Sequence, residues 1–309
     1  MSVPDLSSRP VDVAVWGRTD PGKERDENQD SFLVMELAGE GGDEGFLLRP
    51  HGGAPEAARR REFTLGPRGA LLLVADGMGG AAGGALASRT AVEEIRRALK
   101  QEWGRERGRT PQRFGAHLVS ALEEANRTLH ELARDRADLR GMGTTATAAG
   151  LLEDFLYVAQ VGDSRAYLIR EGTATQITRD QSVVQHLVDA GAMTPDEAER
   201  SSQKNVILQA LGTAEKVEVD LTYQQLRNHD LVLLCSDGLS GVLQPRELAE
   251  SARRFPDPPA LCEALVELAN TRGSPDNVTV IVARVQGEGL ADPRPEDRVG
   301  RTPFRPGEP

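Results

Sequence analysis

Cysteine is nearly missing from this chain: Cys235 and Cys262 are the two present in 309 residues. That excludes a disulfide framework and makes a reducing compartment the simple reading. Long apolar runs are missing as well, since no segment approaches the ~20 apolar residues of a membrane-spanning helix. Residues 1–10 are polar and proline-bearing, without the basic-then-apolar pattern of a secretion signal. A cytoplasmic location without membrane contact is expected. An excess of positive charge is lacking too: the formal net charge is −11 and the isoelectric point is near 5.1. Both argue against nucleic acid or an anionic membrane as the main partner. No repeat of fixed period is visible. His130-Glu131 begins like a zinc-protease motif, but Arg134 stands where the second ligand belongs, so that reading ends there.

What is present describes a soluble globular chain, 39% apolar and 28% charged, long enough to bury a full core. The pattern predicts one domain over residues 12–285, with an N-terminal tail at 1–11 and a disordered C-terminal tail at 286–309, rich in Pro, Gly, Arg and Glu. Residues 38–69 break the pattern with Gly39-Glu40-Gly41-Gly42, Pro50-His51-Gly52-Gly53 and Arg59-Arg60-Arg61, and read as a solvated loop insertion. Apolar residues at helical spacing mark helices at 83–103 and 112–137, with two more near 245–254 and 259–271. Strands are expected at 11–16, 31–37, 144–152, 155–161, 166–169, 217–223, 231–235 and 278–285, several joined by short turns that favour antiparallel pairing. Grouped helices beside such strands point to a layered α+β domain. Cys235 falls in a buried strand and reads as packing.

Five aspartates, Asp30, Asp76, Asp163, Asp237 and Asp276, sit at ends of apolar runs or strands, most beside a glycine, asparagine or serine. Carboxylates massed in one cleft raise each other's pKa unless a cation neutralises them, and oxygen-only ligation selects hard Mg²⁺ or Mn²⁺ over zinc. Asp76-Gly77-Met78-Gly79-Gly80 could be read as a dinucleotide-binding turn. The aspartate precedes the glycines, where it would repel pyrophosphate, and the helix that follows leads into another helix rather than a parallel strand. The glycines instead let the chain turn so that the Asp76 carboxylate and the Gly77 carbonyl can face one ion. Arg25 lies five residues before Asp30, and arginine grips two phosphate oxygens at once.

Six motifs, in order, are similar to those of PPM (type 2C) metal-dependent protein phosphatases, and the likeness is nearest to the bacterial branch. They are Arg25-x-x-Asn28-Gln29-Asp30, Asp76-Gly77-Met78-Gly79-Gly80, Gly141-Met142-Gly143-Thr144-Thr145, Val161-Gly162-Asp163-Ser164-Arg165, Ser236-Asp237-Gly238-Leu239 and Asp276-Asn277. The resemblance implies a four-layer αββα sandwich, two central antiparallel sheets flanked by helices, and a flap over residues 181–215. It implies two Mn²⁺ or Mg²⁺ ions bridged by Asp76, with the Gly77 carbonyl on one and Asp237 and Asp276 on the other. Asp30 would act through metal-bound water, Asp163 would hold a weaker third ion with help from Asp237, and Arg25 would clamp the phosphate. The implied activity is hydrolysis of phosphoserine and phosphothreonine by a metal-bridged hydroxide. Its implied partners are phosphoproteins, a Ser/Thr protein kinase or that kinase's substrates, met by a monomer. Two departures stand out: Gln29 replaces a glutamate common in the family, and Met78 occupies the place of a histidine thought to protonate the leaving alcohol, which leaves that acid unassigned. The alternative is a catalytically silent phosphoprotein-binding or regulatory module. The segment 181–215, with Gly191, Pro195 and many charges, is expected to be mobile and to shape substrate choice.

Overall fold

The run Ala70-Leu71-Leu72-Leu73-Val74-Ala75 explains the architecture, because every one of these side chains is buried. In a strand, neighbouring side chains point to opposite faces, so a continuous apolar run needs cover on both sides. In the computed structural model, which describes residues 9–37, 47–48 and 61–304, Leu71, Leu73 and Ala75 pack under helices while Leu72 and Val74 pack against a second sheet.

All strand pairs are antiparallel. One sheet contains β1 (Asp12–Asp20), β4 (Arg61–Thr64), β9 (Arg165–Arg170), β10 (Thr173–Gln176), β12 (Leu231–Cys235) and β13 (Val278–Gln286), in the order β10-β9-β12-β13-β1-β4. The other contains β2 (Asp30–Glu36), β3 (Leu47–Leu48), β5 (Ala70–Met78), β7 (Ala146–Leu152), β8 (Phe155–Val161) and β11 (Asp220–Gln225), in the order β11-β8-β7-β5-β2-β3, with β6 (Gly143–Thr144) added to β5. Helices α1 (Gly80–Arg105) and α2 (Pro111–Asp135) cover the second sheet through Ile95, Leu99, Trp103, Leu118 and Leu122. The Thr110 side chain caps the start of α2 by accepting from the Arg113 N–H, with proline in the first turn. Helices α3 (Val183–Asp189) and α4 (Pro195–Arg200) lie between β10 and β11, and the short α5 (Asp237–Ser240) follows β12. Helices α6 (Pro245–Arg254) and α7 (Pro258–Thr271) cover the first sheet through Leu248, Leu261 and Leu265. The result is the αββα sandwich, with one apolar cluster between the sheets and one under each helical layer. Burying a leucine or isoleucine in such a layer stabilises by about 1.5–3 kcal/mol.

Three expectations are corrected. The loop insertion is not without structure: β3 pairs with β2 and β4 with β1, while the rest of 38–69, outside 61–69 and Leu47–Leu48, lies outside the described residues. Strand β10 was not anticipated, because Thr-Ala-Thr-Gln on the outer flank of a sheet carries no apolar alternation. The C-terminal segment does not begin a disordered tail at 286. Leu290 is buried, Arg227 grips Asp297 with two bonds of 2.7 Å, and the Phe304 ring meets Tyr157 and Tyr223 edge-on at 5.5 and 5.4 Å. A few strong anchors hold a segment whose composition alone reads as unfolded.

Candidate metal and phosphate site

The two sheets meet at one end in polar rather than apolar residues. Asp30 and Asp76 are directly paired across β2 and β5, and strand alternation gives them the face of Phe32 and Val74, toward the space between the sheets. From the other sheet, Ser236 and Thr279 continue the inward faces of β12 and β13. Their hydroxyls donate to Asp30 Oδ2 at 2.8 and 2.6 Å.

Arg25, Asp76, Gly77, Asp163, Asp237 and Asp276 line one cavity of about 590 Å³ at this end. Asp30 lies behind it, 2% exposed. Local chain geometry places each group. Asp237 opens α5 after β12 ends, and a Cβ on Gly238 would collide with the Asn277 carbonyl, so glycine lets that turn lie against the Asp276-Asn277 turn. A Cβ on Gly77 would likewise strike the Gly84 carbonyl as β5 passes into α1. Thr145 holds the Asp76 backbone from both sides: its Oγ1 accepts the Asp76 N–H at 3.0 Å and its own N–H donates to the Asp76 carbonyl at 2.8 Å.

The electrostatics are those of crowded anions. Burial, opposed by the two hydroxyls and reinforced by Asp237 and Asp276, pushes the Asp30 carboxyl up to about 7. Asp76 is held well above the carboxylate range by burial and then by Asp30, Asp237, Asp163 and Asp276. Asp163 is raised by burial, Asp237 and Asp180 against the pull of Arg165, and Asp237 by burial and Asp276. Asp76, Asp163 and Asp237 keep part of their surface open to the cavity, so the raised state is firmest at sealed Asp30. Asp30 Oδ1 and Asp237 Oδ1 are buried without a hydrogen-bond partner. Orphaned buried carboxylate oxygens among mutually repelling neighbours fit a hard divalent cation.

Asp276 behaves differently. Its Oδ2 accepts from Arg25 Nη2 at 2.7 Å and its Oδ1 from the Asn277 N–H at 2.9 Å. Each of its oxygens thus has a donor, and among the described residues no three His, Cys, Asp or Glu side chains converge on one point.

Several residues that hold the site were not assigned roles from sequence. Asn277 accepts the Gln29 N–H at 2.8 Å and donates to the carbonyls of Pro21 and Glu27 at 2.9 Å each, tying the Arg25 loop to β13. The Arg165 guanidinium holds Asp180 with contacts of 3.0 and 2.6 Å, anchoring the segment that leads into α3 beside Asp163. Thr279 carried one faint signal, a hydroxyl inside a valine run. Among the described residues no histidine lines the cavity; Met78 does, 36% exposed.

A family model for protein phosphatase 2C matches residues 60–277. The serine/threonine protein phosphatase PstP of Mycobacterium tuberculosis is 40% identical over 215 residues, 70% of this chain and 40% of that protein. This chain thus spans well under half the length of the mycobacterial relative. The serine/threonine phosphatase stp of Listeria welshimeri is 34% identical over 212 residues, covering 69% of this chain and 83% of that one. A crystal structure of the catalytic domain of PstP in complex with two manganese ions superposes with a TM-score of 0.69 at 34% identity, covering 89% of this chain and 99% of that chain. The family match begins after Arg25 and Asp30, so their place in the site rests on the geometry above.

Proposed function

The chain belongs to the protein phosphatase 2C family, and from that premise we propose that it is a metal-dependent phosphatase acting on phosphoserine and phosphothreonine in proteins. The observation that carries this is the juxtaposition of the Arg25 guanidinium with an all-oxygen donor set containing orphaned Asp30 and Asp237 oxygens. In this reading Asp76 would contribute to holding both of two Mn²⁺ or Mg²⁺ ions, with the Gly77 carbonyl helping to hold one and Asp237 and Asp276 the other. Asp163 with Asp237 offers a weaker third site, and Asp30 stands one layer behind. Such ions, when bound, lower the pKa of water and neutralise charge at phosphorus, so that in-line hydrolysis proceeds at neutral pH.

The protein's own groups do the rest. Arg25 presents two N–H donors to phosphate oxygens, a geometry lysine cannot reproduce. The Asn277 bonds fix the loop that carries it, so its position is preorganised. Ser236 and Thr279 hold Asp30 in one orientation. Cys235 and Cys262 are buried, with the Cys235 thiol pushed by burial up to about 12, and neither serves as a nucleophile. The proposed substrates are phosphoproteins, among them a Ser/Thr kinase or its targets, met by a cytoplasmic monomer. Among the described residues, no helix is long and apolar enough to cross a membrane.

The test is hydrolysis of p-nitrophenyl phosphate and a phosphothreonine peptide with Mn²⁺ and with chelator. Metal-dependent turnover of both is expected; none with either, or turnover unchanged in Asp237→Asn, would leave the silent phosphoprotein-binding module as the better reading.

A further inference from the structure

The inward face of β1 ends in a hydroxyl. Val13 and Val15 face the space between the sheets, and strand alternation gives the same face to Gly17 and Thr19. Thr19 lies directly opposite Thr279 in the pairing of β1 with β13, and their hydroxyl oxygens are 2.7 Å apart. A third side chain joins them. Asn28, three residues after Arg25 and two before Asp30, donates through Nδ2 to Thr19 Oγ1 at 2.8 Å.

The direction of these bonds follows from the donors available. Each hydroxyl carries one proton. Thr279 directs its proton to Asp30 Oδ2 at 2.6 Å, so toward Thr19 it can only accept. Thr19 therefore donates to Thr279 and accepts from Asn28. The Asn28 amide is kept from turning over, because its Oδ1 accepts the Asp30 N–H at 3.0 Å. A one-way chain results, Asn28 to Thr19 to Thr279 to Asp30, and the Asp30 backbone closes it into a ring. Its head is held in place as well: Asn277 donates to the Glu27 carbonyl and accepts the Gln29 N–H, one on each side of Asn28. Bonds in such a chain polarise one another, so each donor strengthens the next. Ser236 adds a second hydroxyl to the same Asp30 Oδ2 at 2.8 Å. Oδ1 is left as the carboxylate oxygen without a partner.

Resting on the phosphatase reading above, we propose that Thr19 and Asn28 are positioning residues for the metal centre. They act through Thr279 to fix which oxygen Asp30 keeps free, and they tie that choice to the loop that carries Arg25. Placement of the phosphate-gripping loop and orientation of Asp30 are one event rather than two. Neither residue lines the cavity, so neither touches the reacting groups.

Titration calorimetry with Mn²⁺ tests the chain. Thr19→Val keeps the side-chain shape and removes the hydroxyl, whereas Thr19→Ser keeps the hydroxyl. Mn²⁺ binding is expected to weaken by about threefold to tenfold in Thr19→Val and to stay within about twofold of wild type in Thr19→Ser. Thr279→Val already severs the chain next to Asp30, so adding Thr19→Val to it should change the affinity by less than about twofold. In the chelated protein, hydrogen exchange at the Asp30 N–H should quicken in Thr19→Val and not in Thr19→Ser, because Asn28 loses the partner that steadies its amide. Asn28→Ala cuts the chain at its head, leaves the threonine pair in place, and gives the same weakening of Mn²⁺ binding should Thr19→Val not fold. Wild-type affinity in Thr19→Val or, where that variant does not fold, in Asn28→Ala overturns the proposal. So does equal weakening by Thr19→Val and Thr19→Ser, or a double variant whose loss is the product of the two single losses. A wild-type protein that binds Mn²⁺ but hydrolyses neither p-nitrophenyl phosphate nor a phosphothreonine peptide overturns the phosphatase reading alone; one that binds no Mn²⁺ overturns both.

Discussion

Strand β12 carries an aspartate just before its first residue and another two residues after its last, and the two live under opposite rules. Asp230 is 1% exposed and fully matched: Arg170, itself 6% exposed, donates Nε and Nη2 to its two oxygens at 2.9 and 2.6 Å, and the Arg227 N–H adds a third bond at 2.7 Å. Asp237, seven residues on and at the other end of the strand, has an orphaned oxygen and carboxylates for neighbours. The first is a closed account of charge. The second is an open one.

The contrast is sharpened most by breaking the matched end. Asp230→Asn leaves Arg170 buried beside a neutral partner and is expected to cost about 3–5 kcal/mol in urea unfolding. Replacing both partners, Arg170→Met with Asp230→Leu, should recover only part of that loss, because the Arg227 N–H and the carbonyls of Gln225 and Asp297 lose these partners. Mn²⁺ affinity by calorimetry should be unmoved; a large change there would erase the distinction between the two ends.

Asp237→Asn should act in the reverse sense. Metal-dependent turnover is expected to fall by about 10²–10³-fold, while the chelated protein at pH 8 becomes more stable to urea because one like charge has left the cluster. A chelated variant less stable than wild type would mean that Asp237 is a structural residue like Asp230. A smaller effect is expected of Thr279→Val, which removes one of the two hydroxyls on Asp30: about tenfold weaker Mn²⁺ binding, read by titration calorimetry.

The smallest effect is in pH. Asp30 holds its proton up to about 7 in the folded protein, against about 4 unfolded. Between those values the folded state binds more protons than the unfolded one, so the chelated protein loses stability as pH rises from about 4 to 7, by a few degrees in Tm. Saturating Mn²⁺ should flatten that slope. A chelated protein that gains stability over the same window would show that the acidic end is already compensated.

Much of this was legible in sequence, for a physical reason. Residues 71–75 and 231–235 lie between two apolar layers and so read as unbroken apolar runs, and the aspartates that follow mark where those layers stop. Among the described residues, strands β4 and β10 pair on one side each and carry Arg-Glu-Phe-Thr and Thr-Ala-Thr-Gln, which share no such signal. Thr279 was hidden because threonine inside a valine strand is ordinary β-branched packing. Its meaning comes from Asp30, 249 positions away. The pairing of Arg25 with Asp276 was equally out of reach, since it depends on two turns brought together by β1 and β13.

Phe304 and its neighbours have a consequence for how molecules of this protein meet one another. The Tyr223 N–H donates to the Thr302 carbonyl at 2.9 Å, and the Phe304 N–H to the Leu221 carbonyl at 2.8 Å. These bonds occupy the outward row of β11, the last strand of its sheet, which would otherwise be a template for pairing with a strand of another chain. At the sheet's other limit among the described residues stands β3, Leu47–Leu48. A segment whose composition reads as surplus thus serves as a selvedge, finishing a sheet that would otherwise be open to aggregation.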